Sequence, residues 1–363
     1  MNQRNTGDRK KVVLGLSGGV DSTTAALLLQ EKGYEVTGLY FDVLSGGTAA
    51  GCKRAQRAAE QLGIDFLYQD VSEAFEQVVI GNFCEEYLHA RTPNPCVFCN
   101  PNIKFRTLLK AADEIGADYI ATGHYADTCY DAGLNRWFIR RAANRRKDQS
   151  YMLYRLGQEV ISRLLLPLNE IEDKNQVREI ARSKALVNAD AKDSQEICFI
   201  EPGDHYQAFL ERRGKTLPKG NFVDADGTVL GEHQGLLHYT IGQRKGLGIA
   251  LGRPAFVTKL DAQRNEVVLG SNEDLFVQDV LSADHVIASK EVLTGAAFSK
   301  YAEDCPLTAK IRYAAKPAEA TVEFLSDGRI LTHFRERQRA VTPGQSIVFY
   351  RGDLVVGGGF IES

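Results

Sequence analysis

The chain has 363 residues, 44% of them hydrophobic and 25% charged, with a formal net charge of −3. That length exceeds one comfortable core and predicts two or three domains of an ordinary soluble kind, while the charge lends no global support to nucleic-acid binding. The polar stretch 1–10 has no apolar signal segment, no apolar run approaches the roughly 20 residues of a membrane span, and seven scattered cysteines suit a reducing cytoplasm better than a secreted disulfide framework.

The first strong feature is Val12–Leu16, an apolar run that passes directly into S-G-G-V-D-S at 17–22 and then into a helix-favouring segment, Thr23–Glu31. Val36–Phe41, Phe66–Val71 and Tyr119–Thr122 read as further buried strands. Lys53–Leu62, Glu73–His89 and Asn102–Ile115 read as helices, and Gly33, Gly63 and Gly116 follow three helix ends, where C-terminal glycines belong. Strand–helix alternation predicts an α/β domain with a doubly wound, mostly parallel sheet, whose ligands sit beyond the carboxyl ends of the strands.

Two segments break the alternation. Arg91–Pro101 has three prolines in eleven residues and is expected to be a loop, and Thr128–Arg141 reads as an inserted hairpin. Gln149–Leu156, Val160–Leu166 and Asn175–Lys184 add predicted helices and extend the first domain to about residue 204. From 205 to 278, glycine-rich turns separate short segments in a small central connector. From 279 to 363, Leu307–Tyr313, Ala320–Phe324, Arg329–Phe334 and Ser346–Tyr350 predict an all-β barrel.

A strand, a two-glycine turn and a helix start place backbone N–H groups and a helix dipole at one point, and glycine lets an anion approach the backbone closely. The plainer reading of 17–22 is a capped βα turn. The pattern lacks the lysine of a Walker loop and is not G-x-G-x-x-G; it resembles the PP-loop of ATP pyrophosphatases. Cys96 and Cys99 form C-x-x-C, but a structural zinc would want a second such pair. Cys198 lies in K-D-S-Q-E-I-C-F-I at 192–200, and Cys52, Cys84, Cys129 and Cys305 are read as structural. His124 follows a strand end beside the expected nucleotide site. Arg136–Lys147 holds six basic residues in twelve, usually a solvated face. Tyr239–Ile249 combines three glycines with Arg244 and Lys245 in a loop suited to phosphate.

Eight motifs then occur in one order: S-G-G-V-D-S (17–22), T-P-N-P-x-x-x-C-N (92–100), I-K-F (103–105), A-T-G-H-Y (121–125), K-D-Q-S-Y (147–151), D-S-x-x-I-C-F-I (193–200), Y-T-I-G-Q-R-K-G-L-G-I (239–249) and T-P-G-Q (342–345). Together they resemble the bacterial tRNA-specific 2-thiouridylase family over essentially the whole chain. The resemblance implies ATP-dependent replacement of the C2 oxygen of the wobble uridine, position 34, by sulfur in tRNAs for Lys, Glu and Gln. It implies a PP-loop domain, a small central domain and a C-terminal barrel. It implies ATP contacts from Gly15, Leu16, Ser17, Gly18, Gly19, Val20, Asp21, Ser22, Phe41 and Gly123. Asn94, Pro95 and Cys96 would line the target base, while His124, Lys147, Asp148, Gln149, Arg312, Tyr313 and Gln345 would lie at the tRNA. Cys99 and Cys198 match the two catalytic cysteines: Cys99 as nucleophile, and Cys198 as persulfide carrier forming a transient disulfide with Cys99. A cysteine desulfurase or sulfur-relay protein is the implied partner, and ATP with Mg²⁺ the implied cofactors.

One departure stands out. The family's usual loop is T-P-N-P-D-x-x-C-N, with the Asp proposed as acid/base; here Cys96 takes that place. A thiol is a poor substitute for a carboxylate in proton transfer. The set Cys96, Cys99 and Cys198 would also suit an iron–sulfur cluster with one open iron site, so a persulfide relay and a cluster compete as mechanisms. Two other function classes stand beside them: a PP-loop ligase acting on a small acid, which would need neither paired cysteines nor basic loops, and a tRNA-binding module without catalysis, against which Asp21, Cys99 and Cys198 argue.

Overall fold

The computed structural model describes residues 9–44, 49–186, 197–201, 203–297, 300–302 and 304–362. The Asp193–Ser194 pair of the 193–200 motif lies outside them. The chain divides into two units, Met1–Val79 with Cys96–Gln195 and Asp353–Val355, and Ile80–Pro95 with Glu196–Gly352 and Val356–Ser363.

The first unit is built on a five-stranded sheet of β1 (Lys11–Gly15), β2 (Glu35–Asp42), β3 (Asp65–Asp70), β4 (Tyr119–Ala121) and β7 (Leu164–Leu165), in the order β3-β2-β1-β4-β7. Every pairing is parallel. Val12, Val13 and Leu14 of β1 are almost wholly buried, as expected of a central strand covered on both faces. The helix Val20–Glu31 packs on this sheet, the helix Lys174–Ser183 packs against that helix, and Ala25, Ala26, Leu29, Val177 and Ala181 share one apolar cluster with β1. A hairpin of β5 (Ala126–Asp131) and β6 (Arg136–Arg141) extends from the sheet's carboxyl side, and Leu354 pairs with Arg140 along it.

The second unit contains two all-β assemblies. A four-stranded sheet of β8 (Gly220–Val223), β9 (Val229–His233), β10 (Phe256–Asp261) and β11 (Glu266–Gly270) runs in the order β10-β11-β8-β9 around Phe222, Tyr239, Val257 and Val267. The strands β12 (Phe276–Ile287), β13 (Leu307–Lys310), β14 (Ala318–Phe324), β15 (Ile330–Arg339), β16 (Ser346–Arg351) and β17 (Leu354–Ile361) form a six-stranded antiparallel barrel in the order β12-β15-β14-β13-β16-β17. Pairing of Ser282 with Ile361 and Ala283 with Phe360 joins β12 to β17 and closes it, which leaves no free edge. The buried Arg351 guanidinium donates to the carbonyls of Val292, Leu293 and Cys305, so its charge is met by backbone oxygens.

Several expectations need correction. Part of the proline-rich 91–101 stretch is helical: Pro95–Cys99 forms a short helix and Asn100–Lys104 a π-helical turn before the helix Phe105–Glu114. Proline at a first helical position has its φ already set and no N–H to lose, so Pro95 starts this helix. Pro101 lies in the widened turn, where the regular i→i−4 ladder is interrupted. Gln149–Leu156 yields only the 3₁₀ turn Ser150–Leu153, and the apolar end of Val160–Leu166 becomes β7 rather than helix. The first helix begins at Val20, so the glycine turn feeds it without a break.

Candidate active site

The Ser17–Ser22 turn lies at the carboxyl end of β1, and its own side chains hold it in shape. The Ser17 and Ser22 hydroxyls are 3.1 Å apart; the Ser17 N–H donates to Ser22 Oγ at 3.2 Å and the Gly19 N–H to Ser17 Oγ at 3.3 Å. Ser22 and Thr23 hydroxyls both donate to the Gly19 carbonyl, at 3.1 and 3.0 Å. Gly18 has φ +73°, and a Cβ there would lie 2.6 Å from the Ala55 nitrogen, so both conformation and space require glycine. The other expected ATP residues gather on this turn. A Cβ on Gly15 would lie 3.3 Å from the Phe41 ring, and one on Gly123 would lie 3.0 Å from the backbone of Asp21 and Ser22.

Asp21 links this turn to elements that sequence reasoning passed over. Its Oδ1 accepts from Lys174 Nζ at 2.5 Å and from Tyr125 OH at 2.8 Å. Tyr125 stood inside a quoted motif without a role. Lys174 follows the Asp173 helix cap, and no local pattern distinguishes it from a surface lysine. Tyr125 also exchanges backbone bonds with Gln149, donating its N–H to Gln149 Oε1 at 2.9 Å and accepting the Gln149 N–H at 2.7 Å. Lys147–Gln149 is thereby tied to the nucleotide loop through one tyrosine.

Asp148, expected at the tRNA, is buried, and its carboxylate is spent internally. It accepts from the Arg141 guanidinium at 3.2 Å, the Ala142 and Ser150 N–H groups at 3.2 Å and the Ser150 hydroxyl at 3.0 Å. It shapes the 147–151 turn. Three of the six basic residues of the run 136–147 are matched by acids: Arg140 pairs with Asp127, Arg141 with Asp148, and Arg145 makes two 2.7 Å bonds to Asp353.

Cys99 ends the short helix and is mostly enclosed. Burial pushes its thiol above the ordinary value, opposed by Lys104, whose charge and backbone N–H favour the thiolate. Cys96, one turn earlier, is exposed. His124 stacks at 5.9 Å on Phe105, and its Nδ1 lies 2.7 Å from the Thr122 hydroxyl. Desolvation, reinforced by Lys104, holds its pKa well below the ordinary histidine range, so the ring is neutral near pH 7. Asn100, beside Cys99, donates to the Met152 carbonyl at 2.8 Å, while its buried Oδ1 has no partner among the described residues.

Asn94, Pro95, Cys198, Arg312, Tyr313 and Gln345 belong to the second unit. Cys198 is exposed in a turn whose next residue, Phe199, is buried against Phe83 and Phe209 at 5.1 and 5.2 Å. That aromatic anchor fixes the turn and leaves the thiol outside. Arg312 donates to the Arg339 carbonyl at 2.9 Å, and Lys310 lies 5.6 Å over the Tyr313 ring. Gln345 donates to the carbonyls of Thr92 and Pro93 at 2.9 and 3.3 Å.

Comparison with known proteins is decisive at the level of family. Residues 10–202 match the family model described as tRNA methyl transferase HUP domain, 207–271 the tRNA methyl transferase PRC-barrel domain, and 286–361 the aminomethyltransferase beta-barrel domain. The chain is 46% identical to the tRNA-specific 2-thiouridylase MnmA of Carboxydothermus hydrogenoformans and 44% identical to that of Clostridium botulinum strain Alaska E43, in each case over 98% of both chains. The MnmA of Acetivibrio thermocellus is 42% identical, over 98% of this chain and 99% of its own. The chain belongs to the tRNA-specific 2-thiouridylase family. The HUP, PRC-barrel and β-barrel matches agree with the parallel sheet, the four-stranded sheet and the closed barrel described above.

The Ser17–Ser22 turn has features that suit the ATP used by PP-loop proteins: a glycine turn at a strand end, a helix start, and the Asp21–Lys174 pair beside it. A resident metal is another matter. Among the described residues, no three His, Cys, Asp or Glu side chains gather in a metal-holding group. Among the described residues no helix is long and apolar enough to cross a membrane.

Proposed function

We propose that this chain is a tRNA-uridine 2-sulfurtransferase that uses ATP to convert the wobble uridine, position 34, to 2-thiouridine. The observation carrying this reading is full-length similarity to curated 2-thiouridylases, with the nucleotide loop, Cys99 and Cys198 all in place. A uridine C2 carbonyl is a poor electrophile, and oxide a poor leaving group. In the proposed sequence the C2 oxygen attacks the α-phosphorus of ATP, an O–P bond forms, the bond to the β-phosphate oxygen breaks, and pyrophosphate leaves from the Ser17–Ser22 loop. Mg²⁺ accompanies the nucleotide and offsets phosphate charge.

Sulfur then arrives from a persulfide on Cys198. Its terminal sulfur attacks C2, and AMP departs with the original oxygen. The Cys99 thiolate next attacks the Cys198 sulfur, forming a Cys99–Cys198 disulfide and leaving the transferred sulfur on C2. An external thiol reductant must reset the pair, and a cysteine desulfurase or relay protein must reload Cys198. The target nucleotide has to leave its stack, which an anticodon loop permits more readily than a duplex. Asn94, Pro95 and Cys96 would receive it. Lys147, Gln149, Arg312, Tyr313 and Gln345 would face the RNA, with Asp148 and His124 shaping the nearby surface. The implied tRNAs are those for Lys, Glu and Gln, in the cytoplasm.

Incubation with tRNA, ATP, Mg²⁺ and a sulfur donor, followed by nucleoside analysis, tests the reading. It predicts 2-thiouridine from the parent and none from Cys99→Ser or Cys198→Ser. Full activity in both variants would overturn the thiol chemistry; absence of 2-thiouridine with the parent would overturn the activity.

A further inference from the structure

The turn Thr342–Gln345 connects β15 to β16, far in sequence from the loop expected to receive the base, yet it hydrogen-bonds to the irregular segment that leads into that loop. Gln345 Nε2 donates to the carbonyls of both Thr92 and Pro93. With two carbonyl acceptors, only the NH₂ end of the amide can face them, so its orientation is fixed by chemistry. The Thr92 N–H returns the contact, donating to the Pro343 carbonyl at 2.8 Å.

Gly344, between them, has φ +88°, and a Cβ there would lie 2.9 Å from the Thr92 nitrogen and 3.0 Å from Glu86 Oε2. The barrel backbone therefore approaches the loop as closely as a bare glycine permits. The turn is itself held: Gly344 N–H donates to the Ile361 carbonyl at 3.0 Å, and Ile361 N–H to the Gln345 carbonyl at 2.8 Å, so β17 backs it. Arg91 adds a third tie, reaching Glu86 at 2.8 Å and the Ile361 carbonyl at 3.5 Å.

We propose that Gln345 is a positioning residue, and that the 342–345 turn of the barrel sets the Thr92–Pro93 backbone and with it the placement of Asn94 and Pro95. Proline at 93 and 95 stiffens φ at those positions, so an orientation fixed at Thr92 is carried forward rather than lost in a flexible tether. This assigns the barrel a task beyond gripping RNA: it holds the backbone of the base-receiving loop. The catalytic consequence rests on the sulfurtransferase reading above; the clamp itself does not.

The test separates those two layers. Hydrogen exchange of the free protein is followed at Thr92 and its neighbours in the parent, Gln345→Ala and Gly344→Ala, alongside tRNA affinity and single-turnover thiolation. The clamp predicts that Thr92 exchange in Gln345→Ala rises roughly five- to tenfold, as for loss of one hydrogen-bonded tie, with a larger rise in Gly344→Ala. It predicts a fall of about tenfold in the single-turnover thiolation rate of Gln345→Ala at saturating tRNA, where a loss of binding alone is made up by concentration. Parent-like exchange at Thr92 in Gln345→Ala overturns the proposal, whatever its effect on tRNA affinity. Failure of the parent to thiolate would refute the sulfurtransferase reading and leave the exchange result to decide the clamp.

Discussion

The Ser17–Ser22 turn and the cysteine segments are built in opposite ways. Ser17–Ser22 is finished as it stands: hydroxyl-to-backbone bonds fix it, glycine conformation is obligatory at Gly18, and Asp21 is already held by Lys174 and Tyr125. The cysteines have no such shared framework. Cys99 is enclosed, with burial disfavouring its thiolate, Cys96 is exposed on the same short helix, and Cys198 stands on an aromatic-anchored turn. In the proposed function, a site that binds pyrophosphate on every turnover can be made of rigid backbone, and a thiol held back until a persulfide and an activated base are present is better kept protonated and partly covered.

Perturbing each half should therefore fail differently. Cys99→Ser and Cys198→Ser should abolish multiple-turnover thiolation, a loss of about 10³-fold or more, because no other group can replace the attacking or carrying sulfur. Both should still release pyrophosphate on mixing with ATP and tRNA, and a variant unable to do so would erase the division between the halves. Asp21→Asn should act on the other half, removing the carboxylate that holds Lys174 and lowering pyrophosphate release by about 10²-fold. Its thiols should remain as reactive as in the parent.

Cys99 offers a smaller and more graded test. Because its pKa is raised, alkylation of Cys99 in the folded protein should be slower at pH 7.5 than that of an ordinary thiol and should climb as pH rises above the usual thiol range. The sign for stability is the reverse. The unfolded thiol loses its proton first, so the contribution of this group to folding is intact below the ordinary thiol pKa and is lost as pH rises through the raised one. Urea midpoints of the parent and Cys99→Ala across that range would register the difference. A Cys99 that alkylates as a normal thiol would remove the contrast between a finished loop and a guarded thiol.

The smallest effect belongs to Lys147. Lys147→Ala should weaken tRNA binding a few-fold and reduce the slope of log affinity against log salt by about one. An unchanged slope would assign Lys147 to the internal framework that Asp148 and Gln149 already serve.

The parallel sheet was legible because β1, β2 and β4 are apolar runs bounded by glycines, and the site was legible as separate motifs. Other parts were hidden for physical reasons. β12 carries several exposed polar residues and has no run of apolar ones. β17 contains Gly357, Gly358 and Gly359, residues depleted in strands, yet a Cβ on Gly359 would lie 2.3 Å from the His285 ring and one on Gly357 2.8 Å from Ile287. β7 is only Leu164–Leu165, too short to show a period. Arg145 read as part of a solvated basic face because its partner, Asp353, stands 208 residues away. Lys174 was invisible for the same reason: its meaning comes from Asp21, at a separation no window reaches.

The central claim is that the loop makes the uridine oxygen leave and the cysteines supply its replacement. Transfer RNA carrying ¹⁸O at C2 of the wobble uridine tests this directly, with the AMP formed during a single turnover analysed by mass spectrometry. The account predicts ¹⁸O in AMP, in proportion to the 2-thiouridine produced. Thiouridine formed with unlabelled AMP and ¹⁸O released to water would contradict it.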